Sequence, residues 1–294
     1  LADLALSAGS DVKLYDINFD WRTNQIDIPK IRGDVLDART LANAMKDVDV
    51  IVHLAGVSRV EDGEKDPVNC LHVNVEGGYN VAYNAAILKK RMVFGSSREV
   101  YGNPERFPVH ESDPKKPIST YGVTKLAIEN ILGTLSMKYG LRYTILRFSN
   151  VYGSERDRPE RVVPKFLERA IRGETLELYG GEQTLDFTFV DDVVSVIRHV
   201  VDNEATTQGQ DFNVVSGRST SIFELASLIK RLTNSESDIV TRSSRRFDAL
   251  GFRSDPTKIS NLMGEQFHMR SLEGGLLNYV GRMKKVIIAR GALD

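Results

Sequence analysis

The sequence predicts an α/β fold, a doubly wound parallel sheet followed by a smaller mixed α/β C-terminal part. Short, nearly continuous apolar runs alternate with helical patterns at the spacing of βαβ units, and such runs fit parallel strands buried on both faces. Each run ends in small or polar residues. After about Asn150 the rhythm changes and the elements become mixed.

Leu1 to Gly9 reads as the last turns of a helix stopped by Gly9. Asp11–Tyr15 alternates and stops at Asp16, as a short strand does. Val48–Leu54 gives the next strand, Arg91–Phe94 begins another that ends in Gly95-Ser96-Ser97, and Tyr143–Phe148 gives a fourth. Helical patterns lie between them at Thr40–Asp47, Asn74–Leu88 and Ser119–Tyr139. Further on, Val162–Arg172 is a helix closed by Gly173, Thr175–Tyr179 and Asp186–Val190 are strands, and Asp191–Asp202 is a helix. Phe212–Val215 is a strand, and Ser221–Thr233 is a helix opened by a serine cap. Ser235–Asp255 is charged and irregular. The expected division is residues 1–150, the larger α/β layer, and 151–294, the smaller part. Part of 186–216 returns to the first layer, and a cleft lies between the two.

The 294 residues suffice for a sizeable core. Lys and Arg number 39 against 40 Asp and Glu, for a net charge of −1. That balance gives no electrostatic reason to expect nucleic acid or an anionic membrane as partner. The lone cysteine, Cys70, rules out an intrachain disulfide and a cysteine zinc motif, and makes the cytoplasm the expected compartment. No apolar run is long enough to span a bilayer, and no secretory signal is legible. The histidines show no ligand spacing, so no metal is expected.

In open parallel sheets, ligands sit at the carboxyl ends of the strands. Here those ends are Asp16, Ala55-Gly56, Ser96-Ser97 and Ser149-Asn150. Tyr121 and Lys125 stand at i and i+4, one turn apart on the same helix face. A nearby ammonium favours the phenolate, and a phenol poised that way takes a proton from an alcohol at neutral pH. The pair alone also fits an exposed amphipathic helix. Its context adds weight: Ser96-Ser97-Arg98-Glu99-Val100-Tyr101-Gly102 precedes it at a strand end, and Leu146-Arg147-Phe148-Ser149-Asn150-Val151-Tyr152-Gly153 follows it at another. A hydroxyl at the first strand end is placed to hydrogen-bond the substrate oxygen that Tyr121 would deprotonate.

These blocks, in this order and spacing, resemble the extended short-chain dehydrogenase/reductase family, in its NAD-dependent nucleotide-sugar epimerase and dehydratase branch. The resemblance implies a Rossmann-like, NAD-binding domain over 1–150 and a mainly substrate-binding domain over 151–294. Asp16 matches the acid that holds the adenosine ribose and favours NAD over NADP. Gly33-Asp34-Val35 resembles the adenine-side loop, Leu54, Ala55 and Gly56 the loop over the cofactor phosphates, and Asn74 the start of the Asn-Val-x-Gly helix. Ser96, Tyr121, Lys125 and Ser149 complete the implied cofactor contacts. Tyr121 would be the base for a sugar hydroxyl, Lys125 would bind the nicotinamide ribose, and Ser97 would orient the sugar oxygen. Asn150 would meet the substrate diphosphate, with Val163 and Tyr179 lining the nucleotide pocket. Asp186-Phe187-Thr188-Phe189-Val190-Asp191-Asp192 resembles a block near the substrate cleft. A homodimer through a four-helix bundle is implied as well, with Leu126, Ile128, Ile131 and Leu132 serving core or interface.

The chain departs from the pattern in three places. The opening strand and Gly-x-x-Gly-x-x-Gly loop would lie just before Leu1, so roughly twenty further residues are expected ahead of it. Leu185 stands where the family often has an arginine for the substrate phosphate, which leaves Arg245 for that role, helped by Arg161 and Arg246. Glu99 stands two residues after Ser97, as in dehydratases and decarboxylases of the family, where a carboxylate can remove the proton beside the keto group. Arg98 precedes it and cannot protonate a departing hydroxyl. Epimerase is therefore the preferred expectation, dehydratase using Glu99 the second and decarboxylase the third. A non-catalytic dinucleotide-binding sensor remains the reading from another class.

Overall fold

The computed structural model describes residues 9–19, 27–243 and 251–289. The helix end expected over 1–8 lies outside them, as do Arg245 and Arg246. In chain order the first elements are β1 (Leu14–Asp16), β2 (Lys30–Arg32), α1 (Ala38–Ala44), β3 (Val50–His53), α2 (Val60–Lys65) and α3 (Pro67–Leu71). A π-helical turn, His72–Gly77, leads into α4 (Gly78–Ile87); then come β4 (Arg91–Ser97), a 3₁₀ turn (Arg98–Tyr101), α5 (Thr120–Tyr139) and β5 (Arg142–Phe148). Next are β6 (Asn150–Tyr152), α6 (Val162–Ile171), β7 (Leu176–Tyr179), β8 (Thr184–Leu185), β9 (Phe187–Phe189), α7 (Val190–Asp202) and α8 (Glu204–Thr207). The chain continues through β10 (Asp211–Val214), β11 (Thr220–Ser221), α9 (Ile222–Thr233), β12 (Ile239–Arg242), α10 (Thr257–Met263) and α11 (Leu272–Ala289).

Two compact units result. The first takes the described residues up to Asn103, with Glu111–Phe148 and Val194–Asn213. Its Rossmann-like sheet has the strand order β10-β5-β4-β3, with β3, β4 and β5 parallel, and β1 pairs with β2, also in parallel. Strand β4 is buried along its whole length, which is why its sequence is apolar and small rather than alternating. Ala82, Ala85 and Ala86 of α4 pack with Ile128 and Leu132 of α5 and with Met92 and Phe94 of β4. Each such large side chain, removed from water, contributes about 1.5–3 kcal/mol. At the opposite end of β4 from Ser97, the buried Arg91 guanidinium donates to the Val200 and Val201 carbonyls at 2.8 and 3.0 Å, satisfying the last turn of α7.

The second unit takes Pro104–His110, Ser149–Val193 and the residues from Val214 onward. It holds three short ladders: β6 with β9 and β7 with β12, both parallel, and β8 with β11, antiparallel. Helices α6, α9 and α11 cover a core of Phe166, Leu167, Leu176, Leu225, Ile229 and Tyr279. A capping box opens α9, Ser221 and Glu224 satisfying each other's backbone N–H groups.

The elements read from the sequence recur with small shifts at their ends, while β2, α2, α3, β6, β8, α8, β11, α10 and α11 were not among them. Two differences have physical causes. Ser235–Asp255 contains β12, whose residues Ile239–Arg242 gain their strand conformation from the distant β7. The helix expected from Asn74 is entered through a π turn, which turns the Asn74 side chain inward.

Candidate active site

Helix α5 begins with tight control of its first turn. Ser119 caps it by accepting from Gly122 N–H at 3.1 Å, and Glu64 Oε1 accepts from Thr120 N–H at 2.7 Å. Gly122 has a packing reason: a Cβ there would lie 2.6 Å from the Glu99 carbonyl oxygen. The helix can therefore press its first turn against the backbone at the end of β4. Tyr121, next in sequence, is carried into that contact.

Tyr121, Lys125 and Glu129 form a column on the buried face of α5, opposite Gly95, Ser96 and Ser97 of β4. Lys125 Nζ donates to the Gly95 carbonyl at 2.8 Å and lies 5.8 Å from the centre of the Tyr121 ring. It also sits 4.9 Å from the Phe94 ring centre. Burial pushes the Lys125 ammonium down to about 8, and Cys70 and Glu129 pull it back up. His53, at the end of β3, is buried and pushed down to about 3, first by desolvation and then by the Lys125 charge. It is neutral at physiological pH.

Ser97 is buried and ends β4. Its Oγ accepts from Glu99 N–H at 3.2 Å. That fills one lone pair and leaves the hydroxyl proton for an oxygen ligand. Glu99 faces Arg98 across 2.8 Å, both side chains being mostly buried. The carboxylate that the sequence offers as an elimination base is thus engaged by its own neighbour.

Asn74 organises the loop after β3. Its Oδ1 accepts from Val57 N–H at 2.7 Å, and its Nδ2 donates to the Val57 carbonyl and to Thr124 Oγ1, both at 3.0 Å. Thr124 in turn donates to the Tyr121 carbonyl at 2.7 Å. One side chain therefore ties this loop to the helix of Tyr121 and Lys125. Gly56 takes φ of +143°, with Asn74 Oδ1 standing 2.6 Å from where its Cβ would be, so only glycine fits there.

The strand ends of this unit suit a dinucleotide. Asp16 is an exposed carboxylate closing the parallel strand β1, a donor-accepting group of the kind that holds paired ribose hydroxyls. Its Oδ1 accepts from Asn18 N–H at 3.1 Å. Asp34 Oδ1 accepts from Leu36 N–H at 2.9 Å, setting the turn that follows β2, while Val35 is buried in the core. Leu54 and Ala55 are exposed after β3, an apolar ledge beside the backbone of the Gly56 turn.

The remaining candidates belong to the second unit. Ser149 Oγ and Asn150 Nδ2 both donate to the Asp186 carbonyl, at 2.6 and 3.1 Å. Arg161 pairs with Asp157 at 3.3 Å. Val163 is buried in the core, and Tyr179 is half-buried at the end of β7. Leu185 packs against the same core. The Asp186 carboxylate accepts from Ser216 N–H, Ser216 Oγ and Gly217 N–H at 2.8–2.9 Å, and Asp191 and Asp192 pair with Arg282 and Arg270. These acids of the Asp-Phe block hold chain segments together.

Two buried residues were not legible as site residues: Glu129, which ends the column, and Arg147 beside it. The available signal was Arg147 itself, a charge inside the apolar strand run Thr144–Phe148, since a buried charge requires a partner.

Comparison with known proteins agrees with this architecture. A family model described as "NAD dependent epimerase/dehydratase family" matches residues 8–215. The chain is 30% identical to a UDP-glucose 4-epimerase of Lacticaseibacillus casei, over 88% of each chain. It is 32% identical to a UDP-N-acetyl-alpha-D-glucosaminuronate decarboxylase of Bacillus cytotoxicus, over 85% of this chain and 81% of that one. Among solved structures, UDP-glucose 4-epimerase of Thermotoga maritima with UDP-glucose superposes with a TM-score of 0.91 at 27% identity, over 97% of this chain and 94% of that one. The chain belongs to the NAD-dependent epimerase/dehydratase family, and its cofactor is NAD.

Proposed function

We propose that this protein is an epimerase of a nucleotide-linked sugar, with Tyr121 as base, Lys125 as its electrostatic partner and Ser97 as the donor that orients the reacting oxygen. The carrying observation is the buried column: an ammonium fixed on the Gly95 carbonyl, one helical turn from Tyr121 and facing the strand end of Ser97. NAD, when bound, supplies reversible oxidation of the sugar carbon. Asp16, the turn of Asp34 and the loop of Leu54–Gly56 would hold its adenosine and phosphates, and Lys125 its second ribose. The protein's own share is then to move one proton. Tyr121 takes it from the sugar hydroxyl while Lys125 favours the phenolate and the Ser97 hydroxyl donates to the same sugar oxygen. When the keto sugar has turned, Tyr121 returns the proton, so no net oxidation results.

The Arg98–Glu99 pair favours epimerisation over elimination. The Arg98 guanidinium engages Glu99 Oε1 at 2.8 Å, so one of the two carboxylate oxygens is turned to a cation and not to a substrate proton. The likeness to the Lacticaseibacillus casei UDP-glucose 4-epimerase supports the same reading. Asn150, Arg161, Val163, Tyr179 and Arg245 are proposed to bind the nucleotide diphosphate. The intact Tyr121–Lys125 pair argues against a non-catalytic sensor.

The proposed assembly is a homodimer in the cytoplasm, the compartment that the single thiol suits. Its support is a shallow hollow of about 860 Å³ lined by Val68, Leu71, Val75, Tyr79 and Ile131, with Val68, Leu71 and Tyr79 exposed. None of Ser97, Tyr121 and Lys125 lines it. Ile128 and Leu132 are fully in the core, Leu126 is half-buried, and Ile131 both packs against the core and lines the hollow.

The test is incubation of the full chain with NAD⁺ and a panel of UDP-, dTDP-, GDP- and CDP-sugars, with products read by mass and NMR. An isomer of unchanged mass with one inverted hydroxyl supports the proposal. A product lighter by one water, or by carbon dioxide, replaces it with dehydration or decarboxylation. Absence of any altered product with every sugar makes the sensor reading the better one.

A further inference from the structure

The carboxylate of Glu129 sits one turn beyond Lys125 on α5 and is buried. Its Oε1 accepts from Ser96 Oγ at 2.6 Å and from Arg147 Nε at 2.9 Å, and its Oε2 accepts from Arg147 Nη2 at 2.8 Å. Arg147 lies on β5, where its register partner on β4 is Ser96. Its Nη1 reaches Tyr101 Oη at 2.8 Å and Asp211 Oδ2 at 2.6 Å, and Tyr101 donates to Asn213 Oδ1 at 2.8 Å. The network thus spans α5, β4, β5, β10 and the turn after β4. Nearly every member is buried, so each bond is expensive to lose.

This placement has a consequence for the neighbouring residues. Gly95, Ser96 and Ser97 are consecutive on β4. Gly95 accepts from Lys125, Ser96 donates to Glu129, and Ser97 ends the strand. The strand end is therefore pinned to the helix at two successive residues before it delivers the Ser97 hydroxyl.

We propose that Glu129 is a positioning residue for the proton-transfer site: through Ser96 and Arg147 it sets the strand end of Ser97 against the helix face of Tyr121 and Lys125, and its negative charge balances the buried Lys125 ammonium. This rests on the reading of Tyr121 and Lys125 as the proton-transfer pair. Among the described residues, Lys125 has few other compensating charges. His53 of β3 is neutral, Phe94 of β4 offers only its ring, and the Cys70 thiol of α3 is itself pushed up by burial. Tyr121 shares its helix face, and Glu64 of α2 is turned to Thr120 N–H.

The experiment compares the full chain with Glu129→Gln, a shape-preserving change that removes the charge, and with Ser96→Ala, which removes the 2.6 Å link and keeps the charge; NAD affinity is measured for both, so that a lost cofactor contact is told apart from a lost link. The Lys125 titration is followed by ¹³Cε-lysine NMR without any sugar, its signal assigned by loss in Lys125→Met. Expected is a midpoint near 8 in the parent and about one pH unit lower in Glu129→Gln. With sugar nucleotide and NAD, the alkaline limb of kcat should move by the same amount while KM changes by less than about twofold. In Ser96→Ala, kcat should fall about tenfold with an unshifted pH profile. An unmoved Lys125 midpoint in a folded Glu129→Gln protein overturns the proposal. So does full kcat in Ser96→Ala, a variant that still decides the matter if Glu129→Gln fails to fold. The NMR arm needs no turnover, so failure of the epimerase reading is distinguishable from failure of this one.

Discussion

Asn74 and Val57 form a closed two-bond ring, the Asn74 amide accepting from the Val57 N–H at 2.7 Å and donating to its carbonyl at 3.0 Å. The amide imitates a neighbouring strand and gives the loop after β3 a backbone partner it would otherwise lack. Asn74→Ala should cost about 2 kcal/mol of stability, because buried donors and acceptors are left unmet. Affinity for NAD should fall more than affinity for the sugar nucleotide, since the loosened loop is the one proposed to meet the cofactor phosphates. Chemical denaturation and paired calorimetric titrations measure both; equal losses for the two ligands would detach Asn74 from the cofactor.

Lys125 carries a stability cost for its proposed role. Its ammonium is held at about 8 against an ordinary value of 10.5, so between those values the unfolded chain binds the proton more readily than the folded one. Stability should therefore rise with pH from 8 to 10.5. Lys125→Met should remove that rise, abolish turnover and gain roughly 1–3 kcal/mol at neutral pH. Unfolding midpoints across this range, beside an activity assay, check all three.

His53 sets a different window. It is held near 3 against an ordinary 6.5, so the unfolded state takes up a proton first as pH falls. Its contribution is complete above 6.5 and lost on descending toward 3, with a slope of up to about 1.4 kcal/mol per pH unit. In His53→Gln the acid slope between pH 6.5 and 5 should flatten, as read from urea midpoints at fixed temperature.

Arg98 is expected to govern the product. Arg98→Gln removes the charged partner from Glu99 and should let a keto intermediate lose water, giving a dehydrated sugar beside the epimer in mass spectra. If only the epimer forms, at whatever rate, Glu99 is not being restrained by Arg98.

The fold was legible because βαβ periodicity is a local signal. The apolar runs of β3, β4 and β5 and the helical pattern of α5 all stand in the sequence itself. Strand β12 was not, because Ile239–Arg242 is a strand only by virtue of β7, some sixty residues away. In the candidate site, Tyr121, Lys125, Ser97 and Glu99 were visible as spaced residue types. The ion pair that engages Glu99, and the Glu129–Arg147 bridge, depend on side-chain direction and on pairing between elements. A glutamate on a helix reads as a solvated charge until a strand arginine is seen to reach it.

The close approach of α5 to the backbone at Glu99 also bears on how this enzyme can be re-engineered. Position 122 is closed to every side chain without displacing the helix, whereas Val123, next to it, is 46% exposed. A mutant library that randomises this helix evenly would spend much of its diversity on proteins that misplace Tyr121. One that keeps Gly122 fixed and varies Val123 would sample surface changes while leaving the geometry of proton transfer intact.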